Sequence, residues 1–268
     1  MCHGTHCNKQ ARPAHAVAPP GVRDLKSCQD VAMQIWHLDL RLDRGTFHRD
    51  CALLDPQERA RCDRLSSSPL RHRYAAAHAG LRRVLAHRLR CPPAQILLAR
   101  EPGGKPRLRP GPGRPLHFSL SHAGDHALIA ISAAHPVGVD LELLPPPTEL
   151  AADLASQLSP DESQALAALP TAARGLAMLR CWVRKEALLK ASGHGLALAP
   201  AALSVSWDES PRLLGSALAQ YEPGHWQLAA QEQSGAWTAA AAWPGAPEPV
   251  RWLRWPEDAA LKDAGRHA

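Results

Sequence analysis

Aromatic side chains are scarce in this chain of 268 residues: 4%, comprising two Phe, two Tyr and eight Trp. Leu, Val and Ala must therefore fill most of the interior, and no basic platform interleaved with aromatics is present for stacking nucleic acid bases. Zinc-finger spacing and a helix-turn-helix pattern are also missing, so no nucleic acid partner is expected. No apolar run approaches the about 20 residues that cross a bilayer, and the N-terminus lacks a signal-peptide core. The reading is a cytoplasmic protein without a membrane partner. The seven cysteines are an odd number without a C-x-x-C pair, which suits reduced thiols and not a disulfide framework. Cys2, His3, His6 and Cys7 crowd a tail of Ala, Pro and Gly, where structural zinc would need two spaced ligand pairs. Lysine is the last scarcity. Only six of the 31 cations are Lys, yet Lys105, Lys185 and Lys190 all fall inside the motifs below. A compact, rotatable ammonium is wanted there.

What is present is ordinary in bulk. Hydrophobic residues make up 45% and charged residues 21%, and the length allows one large core or two smaller ones. The formal charge of +6 and the pI near 9.1 suit a polyanionic ligand or an acidic partner.

Residues 1–32 lack periodicity and read as a disordered leader, with Met33 a candidate start. From Met33 to Leu40 apolar and polar residues alternate, the pattern of a half-buried strand. Asp55 to Leu65 predicts a short basic helix with Arg59, Arg61 and Arg64. Ser68 as N-cap and Pro69 at the first helical position open a helix to about Arg90, with Tyr74, Ala77, Leu81, Val84 and Leu85 as its apolar stripe. Strands are predicted at 127–132 and 137–143. Ser159-Pro160-Asp161-Glu162 is a capping box, and a longer helix follows over about 171–192, closed by Gly193. Strand-like segments at 203–207, 226–230 and 237–242 precede a tail rich in Pro and charge. The irregular alternation argues α+β, with an N-terminal lobe at 33–137, a C-terminal lobe at 138–250 and a tail at 251–268.

Three local patterns carry chemistry. In Gly138-Val139-Asp140-Leu141-Glu142, strand geometry sets residues two apart roughly 6.6–6.8 Å from one another on one face. Asp140 and Glu142 then project together while Val139, Leu141 and Leu143 enter the core. Such paired carboxylates repel unless a cation bridges them; a solvated strand face is the bland alternative. In the long helix Trp182, Glu186 and Lys190 follow at i, i+4 and i+8 and share a face, though Glu186 and Lys190 also suit an ordinary helix ion pair. In Phe118-Ser119-Leu120-Ser121-His122, Phe118 and Leu120 are expected buried, leaving Ser119, Ser121 and His122 near a strand end.

In this order, together with Gly103-Gly104-Lys105-Pro106 and Gly193-His194-Gly195-Leu196, these patterns resemble the surfactin-activating type of the 4′-phosphopantetheinyl transferase superfamily. The resemblance covers roughly residues 33–250. It implies a pseudo-twofold pair of similar α+β lobes with coenzyme A between them, a monomer, and an apo acyl or peptidyl carrier protein as partner. It implies Mg²⁺ held by Asp140, Glu142 and Glu186, with Glu186 also placed to take the proton of the incoming serine and Lys190 to neutralise the departing phosphate. Lys105, Pro106, Ser121, His122, Arg61 and Arg73 resemble coenzyme contacts, His122 and Arg61 toward the 3′-phosphate; Asp140 and Lys190 also border the coenzyme. Ser119 stands where the family often has Asn. A non-catalytic coenzyme- or carrier-binding module on the same fold is the alternative.

Overall fold

The computed structural model describes residues 33–41, 45–109, 115–145, 153–193 and 198–256. The expected leader, His194 to Leu196 and the end of the expected tail lie outside the described residues.

Two lobes repeat one order of elements. The first runs β1 (Met33–Asp39), α1 (Phe47–Leu53), α2 (Pro56–Asp63), α3 (Ser68–Leu89), the hairpin β2 (Leu98–Arg100) and β3 (Pro106–Leu108), then β4 (His117–Ala123) and β5 (His126–Ser132). The second runs β6 (Gly138–Leu143), α4 (Pro160–Ala167), α5 (Thr171–Ser192), the hairpin β7 (Leu203–Val205) and β8 (Leu213–Ser216), then β9 (Trp226–Gln233) and β10 (Trp237–Pro244). Their sheets match as well. In the first, β5 lies between β1 and β4; in the second, β10 lies between β6 and β9, with antiparallel neighbours throughout. The architecture is α+β.

Each lobe opens the short helix that precedes its long one in the same way. Asp55 and Glu58 form a capping box with Pro56 inside it, and Ser159 and Glu162 do the same around Pro160. In both cases the third-position Glu is buried and answers a cation on the following helix of 22 residues. The N-cap of α3 is Ser67, whose hydroxyl accepts from the Leu70 amide, and not Ser68 as expected; Ser68 has already entered the helix. The apolar stripe of α3 is buried as expected.

The half-buried reading of β1 gives way to burial on both faces. Trp36 and Leu38 pack under α3, whereas Met33 and Ile35 meet Val139, Leu141, Trp237, Ala239 and Ala241 of the other sheet. The two sheets therefore face one another, with α3 outside one and α5 outside the other. The expected tail also needs correction. Val250–Trp255 is a strand, β11, pairing in parallel with β1. Its Arg251 and Arg254 are exposed while Leu253 and Trp255 join the first-lobe core. As a short edge strand with one exposed Arg on each face it lacks a strong local signal, and it returns the chain to the first lobe's sheet.

Candidate active site

The site forms where β4 adjoins β6. No ladder joins these strands; two serines of β4 stitch them instead. Ser119 Oγ accepts from the Val139 amide at 3.1 Å, and Ser121 Oγ donates to Asp140 Oδ1 at 2.7 Å. That corrects the expected burial in β4: Ser119 and Ser121 are 6% and 8% exposed, whereas Leu120 is half-buried, because the hydroxyls are the groups that face the neighbouring strand. Ser119 keeps a hydrogen-bonding role where Asn was noted as commoner.

Alternation along β6 sends Val139 and Leu141 into the core between the sheets. Asp140 and Glu142 therefore turn to the opposite face, where α5 lies. The helix comes very close at one point: a Cβ on Gly138 would stand 1.9 Å from the Ala187 carbonyl oxygen and 2.4 Å from the Ala191 nitrogen. Only glycine admits this approach. Trp182, Glu186 and Lys190 are the partly exposed positions of a helix segment otherwise buried, as their spacing predicts.

Lys190 reaches across to the strand, its Nζ 2.5 Å from Asp140 Oδ1 and 3.2 Å from Ser121 Oγ. The second oxygen of Asp140, Oδ2, is buried without a hydrogen-bond partner among the described residues, in a residue only 4% exposed. Buried acceptors are normally satisfied, so this oxygen is free to accept from a bound group. The neighbouring acids feel the crowding. Burial pushes the Glu142 carboxyl up to about 7, the charge of Asp140 adding to the effect and a Trp182 hydrogen bond and Lys190 opposing it. Glu186 is raised by burial and by Asp140, against Lys190. Among the described residues, no three His, Cys, Asp or Glu side chains are gathered closely enough to hold a metal ion. Asp140 is instead closed on one side by Lys190. The donor set still fits magnesium in kind: hard carboxylate oxygens, one of them buried and open, in acids that repel one another.

Beside this cluster lies a cleft of about 490 Å³, with Arg61, Arg73, Arg100, Tyr74, Pro106 and His122 on its walls. The Arg61 guanidinium carbon lies 5.9 Å from the centre of the Tyr74 ring, within cation–π range. Arg73 is oriented by Asp125, Nε to Oδ1 2.7 Å. His122 falls to about 4, first through burial and then through the charges of His78, Lys190 and Arg61. Its exposed edge faces the cleft as a neutral imidazole. Pro106 and Leu120 also border a smaller cavity of about 190 Å³ that includes Lys105, Lys190 and Gly193. The two spaces thus share a wall at Pro106 and Leu120, and the smaller one reaches Lys190, the partner of Asp140.

Lys105, expected to hold coenzyme phosphates, has its ammonium on protein backbone: Nζ donates to the Val137 oxygen at 3.1 Å and to the Ala191 oxygen at 3.0 Å. Arg100 was not anticipated. Its signal was available in the hairpin, since Arg100 pairs in register with Pro106 across β2 and β3. Glu58 and His78 also stand on the cleft wall; Glu58 had a signal in the Asp55-x-x-Glu58 capping spacing that was not read, whereas His78 carried none.

Two family descriptions match consecutive stretches: "4′-phosphopantetheinyl transferase, N-terminal" over residues 43–134 and "4′-phosphopantetheinyl transferase superfamily" over residues 136–242. Among curated relatives, a putative 4′-phosphopantetheinyl transferase of Synechocystis is 32% identical over 163 residues, 61% of this chain and 65% of that protein. The 4′-phosphopantetheinyl transferase HetI of Nostoc is 32% identical over 166 residues, covering 62% and 70%. The transferase psf-1 of Bacillus pumilus is 30% identical over 168 residues, covering 62% and 69%. The chain thus spans about two thirds of the length of these relatives, and the stretches matched by the two family descriptions include Arg61, the β2–β3 hairpin, Asp140, Glu142 and all of α5. On these matches the chain belongs to the 4′-phosphopantetheinyl transferase superfamily.

Proposed function

We propose that this chain moves the 4′-phosphopantetheine group of coenzyme A onto a serine of an apo acyl or peptidyl carrier protein and releases adenosine 3′,5′-bisphosphate. The observation that carries the reading is the divided carboxylate of Asp140, with one oxygen held by Lys190 and Ser121 and the other buried and open. In this reading Asp140, Glu142 and Glu186 hold Mg²⁺, which when bound neutralises charge on the pyrophosphate. Surfactin-activating relatives remain the model for the subtype.

The chain's own groups account for the rest. Glu186, raised above an ordinary carboxyl, is a stronger base than a solvated glutamate and takes the serine proton directly or through water. The serine oxygen bonds to the phosphorus bearing pantetheine as the pyrophosphate bond to the 5′-phosphate breaks. Lys190, beside Asp140, faces the negative charge that develops on the leaving phosphate. Arg61, Arg73, Arg100 and neutral His122 surround the polyanionic nucleotide end, so catalysis rests mainly on positioning and charge neutralisation.

With both lobes in one chain, a monomer suffices. No helix among the described residues is long and apolar enough to cross a membrane, and a cytoplasmic carrier is the partner proposed. The net charge of +6 would aid capture of coenzyme A and of an acidic carrier surface. Incubation with coenzyme A, Mg²⁺ and a panel of apo carriers, followed by intact-mass measurement, tests the reading. A mass gain of one phosphopantetheine on a carrier serine is expected. No gain on any carrier, despite measurable coenzyme binding, would favour the non-catalytic module.

A further inference from the structure

The hairpin turn at Gly103 to Lys105 belongs to the first lobe but makes its closest contacts with the second. Helix α5 ends at Gly193, whose φ of 75° is the left-handed conformation that glycine supplies at helix ends. The last carbonyls of a helix have no partner within it, and a cation near that end is favourable. Here the Ala191 carbonyl receives the ammonium of Lys105, which also binds the Val137 carbonyl just before β6. One side chain thus ties together the hairpin, the start of the strand bearing Asp140 and Glu142, and the end of the helix bearing Glu186 and Lys190.

Neighbouring backbone is fitted to the same contact. A Cβ on Gly103 would meet the Gly193 oxygen at 2.3 Å, so the turn sits directly against the helix end. The turn itself is tight: the Glu101 amide donates to the Lys105 oxygen at 2.9 Å and the Gly104 amide to the Glu101 oxygen at 2.8 Å. The other side of the hairpin carries Arg100 and Pro106 into the arginine-lined cleft. Burial draws the Lys105 ammonium down to about 8. That desolvation cost is met by two carbonyls, leaving the charge little freedom to follow a ligand.

We infer that Lys105 is a positioning residue, capping α5 from the opposite lobe and fixing the helix that carries Glu186 and Lys190 against the hairpin that walls the nucleotide cleft. This rests on the proposed transfer reaction only for its kinetic consequence. Its structural consequence can be read without turnover.

Lys105→Met keeps the length of the stem and removes every donor. For carrier modification, kcat should fall at least about tenfold, since small displacements of catalytic groups are expensive, while KM for coenzyme A stays within about twofold. Gly103→Ala, which forces the turn off the helix end without touching Lys105, should reproduce that split. A rise in KM with kcat preserved in the Met variant would make Lys105 a phosphate contact and overturn the inference. Hydrogen exchange of the amides at 188–192 supplies the second readout: the Met variant, checked for an intact thermal transition, should exchange there at least about tenfold faster. Unchanged exchange would overturn the inference even if the chain modified no carrier at all. Failure of the wild-type protein to modify carriers, with exchange accelerated as expected, would sink the proposed reaction and leave the cap standing.

Discussion

Glu162 and Lys185 stand 2.5 Å apart with each side chain 1% exposed. Glu162 is the third residue of the capping box on α4, and its carboxylate also accepts from the Ser159 and Val205 amides. Lys185 adds a bond to the Gln157 oxygen. The pair thus locks the capping turn, β7 and α5 together behind the active-site face. Replacing one partner strands the other charge in the interior, which costs about 3–5 kcal/mol. Lys185→Met should lower unfolding stability by that order in urea titration. A change below about 1 kcal/mol would show that the pair is not the lock described, since that is the range of an exposed pair.

The Ser159 capping box, the helices from α2 onward and the face shared by Trp182, Glu186 and Lys190 were legible because they depend on neighbours within a few residues; the Asp55 box and α1 were not read. The role of Glu162 beyond its cap was not, because Lys185 and Val205 reach it from distant chain positions. Lys105 shows the same limit: a Gly-Gly-Lys-Pro turn is plain in sequence, but whether its ammonium meets phosphate or backbone depends on where α5 ends. The burial of Ser119 and Ser121 ran against apolar alternation, since an adjoining strand can satisfy a hydroxyl as water would. β11 was missed for lack of local pattern; only pairing with β1 makes it a strand.

Glu58 is the first lobe's counterpart and supplies a pH test. Burial alone would raise its carboxyl, but hydrogen bonds from His78, Arg82 and the Asp55 amide outweigh this and bring it to about 2. Because the folded value lies below the unfolded 4.5, the stabilisation is complete above 4.5 and drains away as pH falls toward 2. Glu58→Gln should therefore destabilise the protein at pH 6 and flatten the loss of stability between pH 4.5 and 2. An unaltered acid slope in the variant would move that titration to other carboxyls.

The serine stitches between β4 and β6 should separate structure from chemistry. Ser119→Ala leaves the buried Val139 amide without its acceptor, a loss of about 1–3 kcal/mol. Ser121→Ala removes a donor to Asp140 and a contact of Lys190, so turnover should suffer more than stability. Equal effects of both substitutions on kcat, measured alongside their melting temperatures, would contradict this division.

At the nucleotide end, Arg61→Ala and Arg100→Ala each remove one cation from the cleft wall. Hydrogen bonds to charged groups are worth about 1.5–3 kcal/mol, so KM for coenzyme A should rise roughly tenfold or more in each variant. The penalty should shrink as salt is added and screens the remaining attraction. Normal KM values at low ionic strength would take the 3′-phosphate out of this cleft.

Asp140→Asn is the most incisive substitution, because it keeps the shape of the strand face and removes one charge. The amide can still meet Ser121, but Lys190 loses the carboxylate 2.5 Å from its nitrogen, and the buried, open oxygen is no longer half of an anion. Carrier modification should fall by at least about a hundredfold, the scale set by losing one preorganised electrostatic group. A ligand that binds only the folded state raises its stability, so Mg²⁺ should raise the melting temperature of the wild-type protein and leave that of Asp140→Asn unmoved. Glu142, relieved of a neighbouring charge, should titrate lower in the variant, since Asp140 is one of the causes that hold it near 7. Magnesium protection that survives in Asp140→Asn would place the ion elsewhere; protection lost with turnover intact would separate metal binding from catalysis.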